Sequence, residues 1–194
     1  MQLLRMFSNE KYKGSREYLN KQKKYEILRT IIYFGISLSL FIAGYIATKE
    51  RINLLTVVAI LGCLPASKST VEMIMYLRYN SCSTENADLI EKHIGCLRGL
   101  YDMVFTSYEK NYQIAHMIVK GNTICGFTQD EKFDEAAFYK HIDDILKVDY
   151  YKDTSVKIFK DINKYTERME QLKELNTEEG NTEGIINTLK SVSL

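Results

Sequence analysis

"IIYFGISLSLFIAGYIATKERINLLTVVAILGCLP", residues 31–65, holds two apolar runs and only three charges, Lys49, Glu50 and Arg51, all in the connection. The first run, Thr30 to Thr48, is 19 residues without a charge. As a helix rising about 1.5 Å per residue it reaches roughly 28 Å, about the thickness of a bilayer's hydrocarbon core. Nine of its residues are Ile, Leu or Phe. Each favours insertion by about 0.3–0.6 kcal/mol, before the Ser, Gly and Tyr contributions subtract. The second run, Ile52 to Ser67, has 16 uncharged residues, about 24 Å as a helix. Lys68 follows and can snorkel its amine to headgroups. Pro65 predicts a kink or break, with a further helix emerging to about Tyr79.

Two other readings of these runs fare worse. A helical hairpin buried in a water-soluble core needs more covering chain than the half-polar remainder supplies. A cleaved leader has a shorter basic stretch before its apolar run and no second run directly behind it.

The connection "KERIN", residues 49–53, allows only a tight hairpin, so both ends of the pair face one side. Within about 20 residues before the first run stand seven basic residues, namely Lys11, Lys13, Arg16, Lys21, Lys23, Lys24 and Arg29, and Lys68 and Arg78 follow the second. The tip holds two, Lys49 and Arg51. The excess predicts a two-span protein of the cell membrane with both termini cytoplasmic. Gly35, Ala43, Gly44, Ala59 and Gly62 are small enough to let the two helices approach. Lys68 and Glu72, four apart, read as a surface pair near the inner boundary. An intramembrane role at a pore mouth is the sharper alternative.

Charge divides the chain. Residues 1–80 carry twelve Lys and Arg against five Asp and Glu; residues 81–194 carry fourteen against twenty. Residues 1–29 read as a basic cytosolic arm. Tyr18 and Tyr25 in it and Ile32 just beyond it recur at seven-residue spacing, so the first helix is expected to extend into the cytosol. There its cations meet anionic headgroups, and "LLRMF", residues 3–7, can dip into the interface. Residues 30–80 are the hairpin and emerging helix, 81–175 a cytosolic α/β domain, and 176–194 a polar linker and tail. Cys63, Cys82, Cys96 and Cys125 show no C-x-x-C spacing and read as reduced thiols.

The back half reads in the order α-β-β-β-α-β-α. "STENADLIEKHIGCL" is a capped helix. "GLYDMVFTSY", "YQIAHMIV" and "TICGF" form an antiparallel meander. Strict alternation puts Tyr101, Met103 and Phe105 on one face of the first strand. In the second it sets Ile114, His116 and Ile118 against Ala115, Met117 and Val119. "DEAAFYKHIDDILK" is a helix, "TSVKIF" a fourth strand and "DINKYTERMEQLKEL" a last helix. The fold class is therefore α+β (or α/β), with about four strands and helices covering one face of the sheet. "IINTLKSVSL" reads as a weak tail.

Over residues 85–159 this element order resembles the core of the restriction-endonuclease-like fold. The resemblance implies a site with an Asp and then a D/E-x-K in the central strands, holding Mg²⁺ and a water. Here the third strand, "TICGF", has neither carboxylate nor lysine. The D-x-K of Asp130, Glu131 and Lys132 falls beyond it, in a turn, with Asp102 as a candidate partner carboxylate. The resemblance thus implies an inactive relative or, as the alternative, an anchored nuclease-like enzyme.

No catalytic set, cofactor site or metal site is expected. His93 and Cys96 alone make no zinc site, which needs three or four ligands. Phosphate-loop, dinucleotide and nucleophile-elbow motifs are missing from the sequence. The acidic back half opposes nucleic-acid binding. The partners expected are the lipid bilayer and an unidentified protein that docks on the acidic domain. The activity expected is that of an anchored, non-enzymatic interaction module; a small transporter or pore subunit is a further alternative.

Overall fold

The computed structural model describes residues 10–50, 53–151, 154–174 and 181–194. Leu3–Phe7, Arg51, Ile52 and residues 176–180 of the expected linker lie outside them. The chain divides into two compact units, one containing residues 19–80 and the other residues 10–18 with 81–194.

The first unit is built from α1 (Tyr18–Thr48) and α2 (Leu54–Leu77). α1 runs unbroken from the lysine-rich segment through the first apolar run, as the heptad spacing predicts. It ends at Lys49, whose left-handed backbone (φ 56°) turns the chain. Asn53 caps α2 by accepting from the Thr56 amide at 2.9 Å, and its own amide donates to Thr48 Oγ1 and the Glu50 carbonyl. One side chain thus satisfies groups from both helix ends at the tip. The break expected near Pro65 does not occur, and α2 is one helix through it. Both helices are long and apolar enough to cross a membrane.

Their residues sort in the reverse of a water-soluble bundle. Ser37, Ala59, Ala66 and Ser69 are buried, while Ile46, Leu54 and Leu64 are 67–79% exposed. Small residues set the approach: a Cβ on Gly62 would lie 2.6 Å from Ser37 Oγ, and one on Gly44 2.8 Å from Leu55 Cβ.

The second unit contains α3 (Thr84–Ile94), β1 (Arg98–Thr106), β2 (Asn111–Lys120), β3 (Thr123–Phe127), α4 (Glu135–Val148), β4 (Ser155–Phe159), α5 (Ile162–Glu174) and α6 (Thr182–Val192). The sheet order is β1-β2-β3-β4, antiparallel across the first two pairs and parallel between β3 and β4. The α4 crossover is what allows the parallel pair.

Helices cover both faces, not one. α4 and α6 pack with Met103, Phe105, Ile114 and Met117. On the other face α3 and α5 pack with Tyr101, Ala115, Ile118 and Cys125. The near-continuous burial of β1 and β2 reflects this double cover. The segment read as a weak tail supplies α6, whose Ile185 and Leu189 are fully buried. Its stripe of Ile185, Ile186 and Leu189 is too short to declare a core helix from sequence.

The expected alternation also fails in the middle of β1 and β2. Leu100 and Met103 share a face although three residues apart; so do Ile114 and Met117. The cause is Asp102, whose φ of +56° interrupts the extended backbone. Two successive residues, Tyr101 and Asp102, turn to the α3/α5 side. Ala115 and His116 do the same on β2. The register is unchanged, Tyr101 pairing His116 and Met103 pairing Ile114, so both strands exchange faces together.

The free edge of β1 is closed by chain from both ends. Tyr101 N donates to the Gly14 carbonyl and Leu194 N to the Val104 carbonyl, each at 2.9 Å. Lys13 Nζ donates to the carbonyls of Lys190 and Ser193 at the end of α6. Arg16 forks between Asp88 (2.6 Å) and Glu91 (2.9 Å) on α3. Residues 10–18 of the expected basic arm are therefore part of this unit. Leu189→Ala is expected to destabilise it by about 2–4 kcal/mol, as for other buried leucines. Thermal unfolding of the full chain in detergent would measure this; a loss below about 0.5 kcal/mol, typical of surface sites, would place α6 outside the core.

Candidate functional site

In the hairpin, polar groups gather at one level. Arg29 on α1 contacts Glu26 one turn earlier and Glu72 on α2. Its Nε also donates to Ser69 Oγ at 3.2 Å, and Ser69 exchanges a 2.9 Å hydrogen bond with Thr30. Gln22 donates to the other oxygen of Glu26 at 2.9 Å. The Glu26 side chain is 2% exposed and that of Arg29 14%. A single guanidinium thus serves two carboxylates and a hydroxyl, which its planar fork of donors allows. Lys68 stands 4.0 Å from Glu72 with its side chain 81% exposed. The close partner of Glu72 is therefore Arg29, not the lysine that the spacing predicts.

Toward the middle of the same hairpin lies a cavity of about 240 Å³, lined by Phe34, Ser37, Leu38, Phe41, Ala59, Ile60 and Cys63. Its lining carries no charged side chain.

In the second unit the polar centre is His116. It is fully buried, and its Nδ1 lies 2.7 Å from Tyr165 Oη. Its ring sits 4.3 Å from that of Tyr101. Burial pushes the imidazole down to about 3, and raises the Tyr165 hydroxyl well above its ordinary value and that of Tyr101 to about 12. All three are neutral near neutral pH. Among the described residues, His116 Nε2 and Tyr101 Oη are buried without a hydrogen-bond partner. Gly99 makes room for the ring: a Cβ there would come within 2.5 Å of Nε2. Asp102, also buried, accepts from the Cys82 amide at 2.8 Å. This amide holds the carboxylate on the side to which the left-handed backbone directs it.

The other sequence candidates do not converge. His93 lies 2.9 Å from Glu170 on the exposed side of α3 and α5. His141 stacks on Tyr112. All four cysteines are free thiols. Asp130 accepts from the Lys132 amide at 2.9 Å and, through its carbonyl, from the Phe133 amide, so it shapes the turn before α4. At the paired positions of β2 and β3 stand His116 opposite Phe127 and Ile118 opposite Cys125. Neither strand carries a carboxylate to hold a divalent ion. Among the described residues no three His, Cys, Asp or Glu side chains are grouped to bind a metal. The element order that suggested a restriction-endonuclease-like core is present, without that family's acidic pair.

Local sequence pattern does not mark Arg29, Glu26, His116 and Gly99 as site residues. Two signals pointed to them. Arg29 and Glu72 are nearly equidistant from the hairpin tip, so an antiparallel hairpin must bring them level. A glycine inside a strand pattern marks a close approach of another group.

The chain matches no protein-family model, no curated protein and no solved structure.

Arg29→Ala leaves Glu26 buried without its cation and is expected to cost about 3 kcal/mol. Replacing Glu26 and Glu72 by glutamine in the same chain should recover most of it, read as unfolding temperature in detergent. For His116 the folded value lies below the unfolded one, so the unfolded state binds the extra proton. Stability is full above about pH 6.5 and falls by up to about 1.4 kcal/mol per pH unit as pH drops toward 3. In His116→Leu that part of the acid slope should vanish; an unchanged slope would assign it to other groups.

Proposed function

We infer that the chain is a membrane-anchored interaction module. Its α1–α2 hairpin crosses the bilayer twice, and both ends and the α/β domain lie in the cytoplasm. The observation that carries this reading is the inverted sorting of the hairpin. Large aliphatic side chains face outward along both helices, while Ser37, Ala59, Ala66 and the Thr30–Ser69 pair face inward. In water that arrangement exposes far more apolar surface than a stable domain tolerates. In lipid the outward face costs nothing, and the inward small and hydroxylated residues give close packing and interhelical hydrogen bonds.

Sidedness follows from charge. The open end of the hairpin carries Lys21, Lys23, Lys24, Arg29, Lys68 and Arg78, against Glu26 and Glu72. That excess favours the cytoplasm. A binding role for the domain is favoured over catalysis because its polar centre is sealed: His116 and Tyr165 are fully buried. Its net negative charge favours a basic protein surface as partner.

The full chain is expected to remain in the membrane pellet through alkaline carbonate washing and to require detergent for release. Leu38→Arg, which sets a charge on the exposed side of α1, should lower insertion by about 3 kcal/mol. Protease added outside intact cells should leave the domain uncut. Release by carbonate, or digestion of residues 81–194 from outside, would overturn the reading.

A further inference from the structure

We propose that the open end of the hairpin selects anionic lipids, its exposed cations binding headgroup phosphates around the bundle. The proposal rests on the membrane reading and adds the chemistry of the lipid. Exposed apolar side chains on α1 run from Ile27 to Ile46, and on α2 from Leu54 to Leu77. They bound a lipid-facing band of about 30 Å on α1, at roughly 1.5 Å per residue. Beyond its open end come Lys24 on α1 and Arg78 on α2, both exposed.

Lys68 lies within the band, nine residues or about two and a half turns before Leu77 on α2, and its 81% exposed side chain can reach outward. Of the two carboxylates at this level, Glu26 is buried against Arg29, and Glu72 contacts Arg29 closely with Lys68 at 4.0 Å. Arg29 is therefore the main partner of both anions, and Lys24 and Arg78 keep their charge for the solvent or the lipid. At the opposite end Lys49, Glu50 and Arg51 leave a single net positive charge. The positive charge is thus concentrated at the open end of the hairpin. Lys24 and Arg78 stand on different helices, so the contact is a partial ring of headgroups and not a pocket for one soluble anion. Juxtamembrane cations of this kind attract phosphatidylserine- or phosphatidylglycerol-type headgroups within a Debye length.

The chain has no tryptophan, which permits a direct test. Leu77→Trp, at an exposed position by the edge of the band, gives a single reporter in the full-length protein. It is reconstituted into vesicles of mixed phosphatidylcholine and phosphatidylglycerol, with one or the other lipid brominated. Bromine quenches only by contact, so the ratio of quenching reports which lipid touches the site. The expected result is about a threefold preference for the brominated phosphatidylglycerol at low salt, weakening as salt rises. In the Lys24→Gln, Arg78→Gln background the ratio should approach one. Equal quenching by both lipids in the parent protein would overturn the proposal while leaving the membrane reading standing. No quenching by either lipid would overturn both.

Discussion

Asp102 governs how the second unit is built. A left-handed backbone at a non-glycine residue costs about 1–2 kcal/mol, least for Asp and Asn. The cost is offset by the bond from the Cys82 amide to its carboxylate. Through this one residue Tyr101 and Met103, two apart, point to opposite helical layers. β2 follows at Ala115 and His116, because a paired strand cannot keep its register and its hydrogen bonds while its neighbour alone changes faces. The exchange places His116 among Tyr101, Tyr165 and Gly99, and places Met117 with Ile114 against α4 and α6. Without it, either Met103 or Tyr101 would sit in the wrong core.

The hairpin sorts its side chains differently from the second unit. Its helices bring together hydroxyls, small residues and one shared ion cluster, and turn their aliphatic side chains away. Pro65 lies inside α2 without ending it. Its missing N–H removes the helical bond to the Leu61 carbonyl, and just beyond it Ser67 and Thr70 bond back to the Leu64 and Ala66 carbonyls. At the tip Asn53 performs the equivalent service for both helix ends.

The sheet has a third requirement, that its first edge not be left open. An unpaired edge strand is a template for aggregation. Gly14 from the start of the chain and Ser193–Leu194 from the C-terminal segment each bond to β1, and Lys13 fastens α6 by its terminal carbonyls. Chain on both sides of the hairpin's sequence is thereby drawn into one folded unit. Arg16 and Lys13, which count toward topology in a sequence reading, also have specific structural partners.

Element order, the two apolar helices and the capped start of α3 were legible because each rests on local pattern: unbroken apolar length, period-two runs, Ser83 before an acidic turn. What lay beyond it depended on contacts distant along the chain. α6 is a core helix only because α4 and the sheet leave an apolar face for Ile185 and Leu189 to fill. The face exchange at Asp102 depends on an amide twenty residues away. Arg29 serves Glu72 only once the hairpin closes. Local pattern determines which segments become helix or strand, since backbone geometry and the spacing of apolar residues act over a few positions. Which face is inside, and which charge meets which, is decided by packing partners that no short stretch of sequence contains.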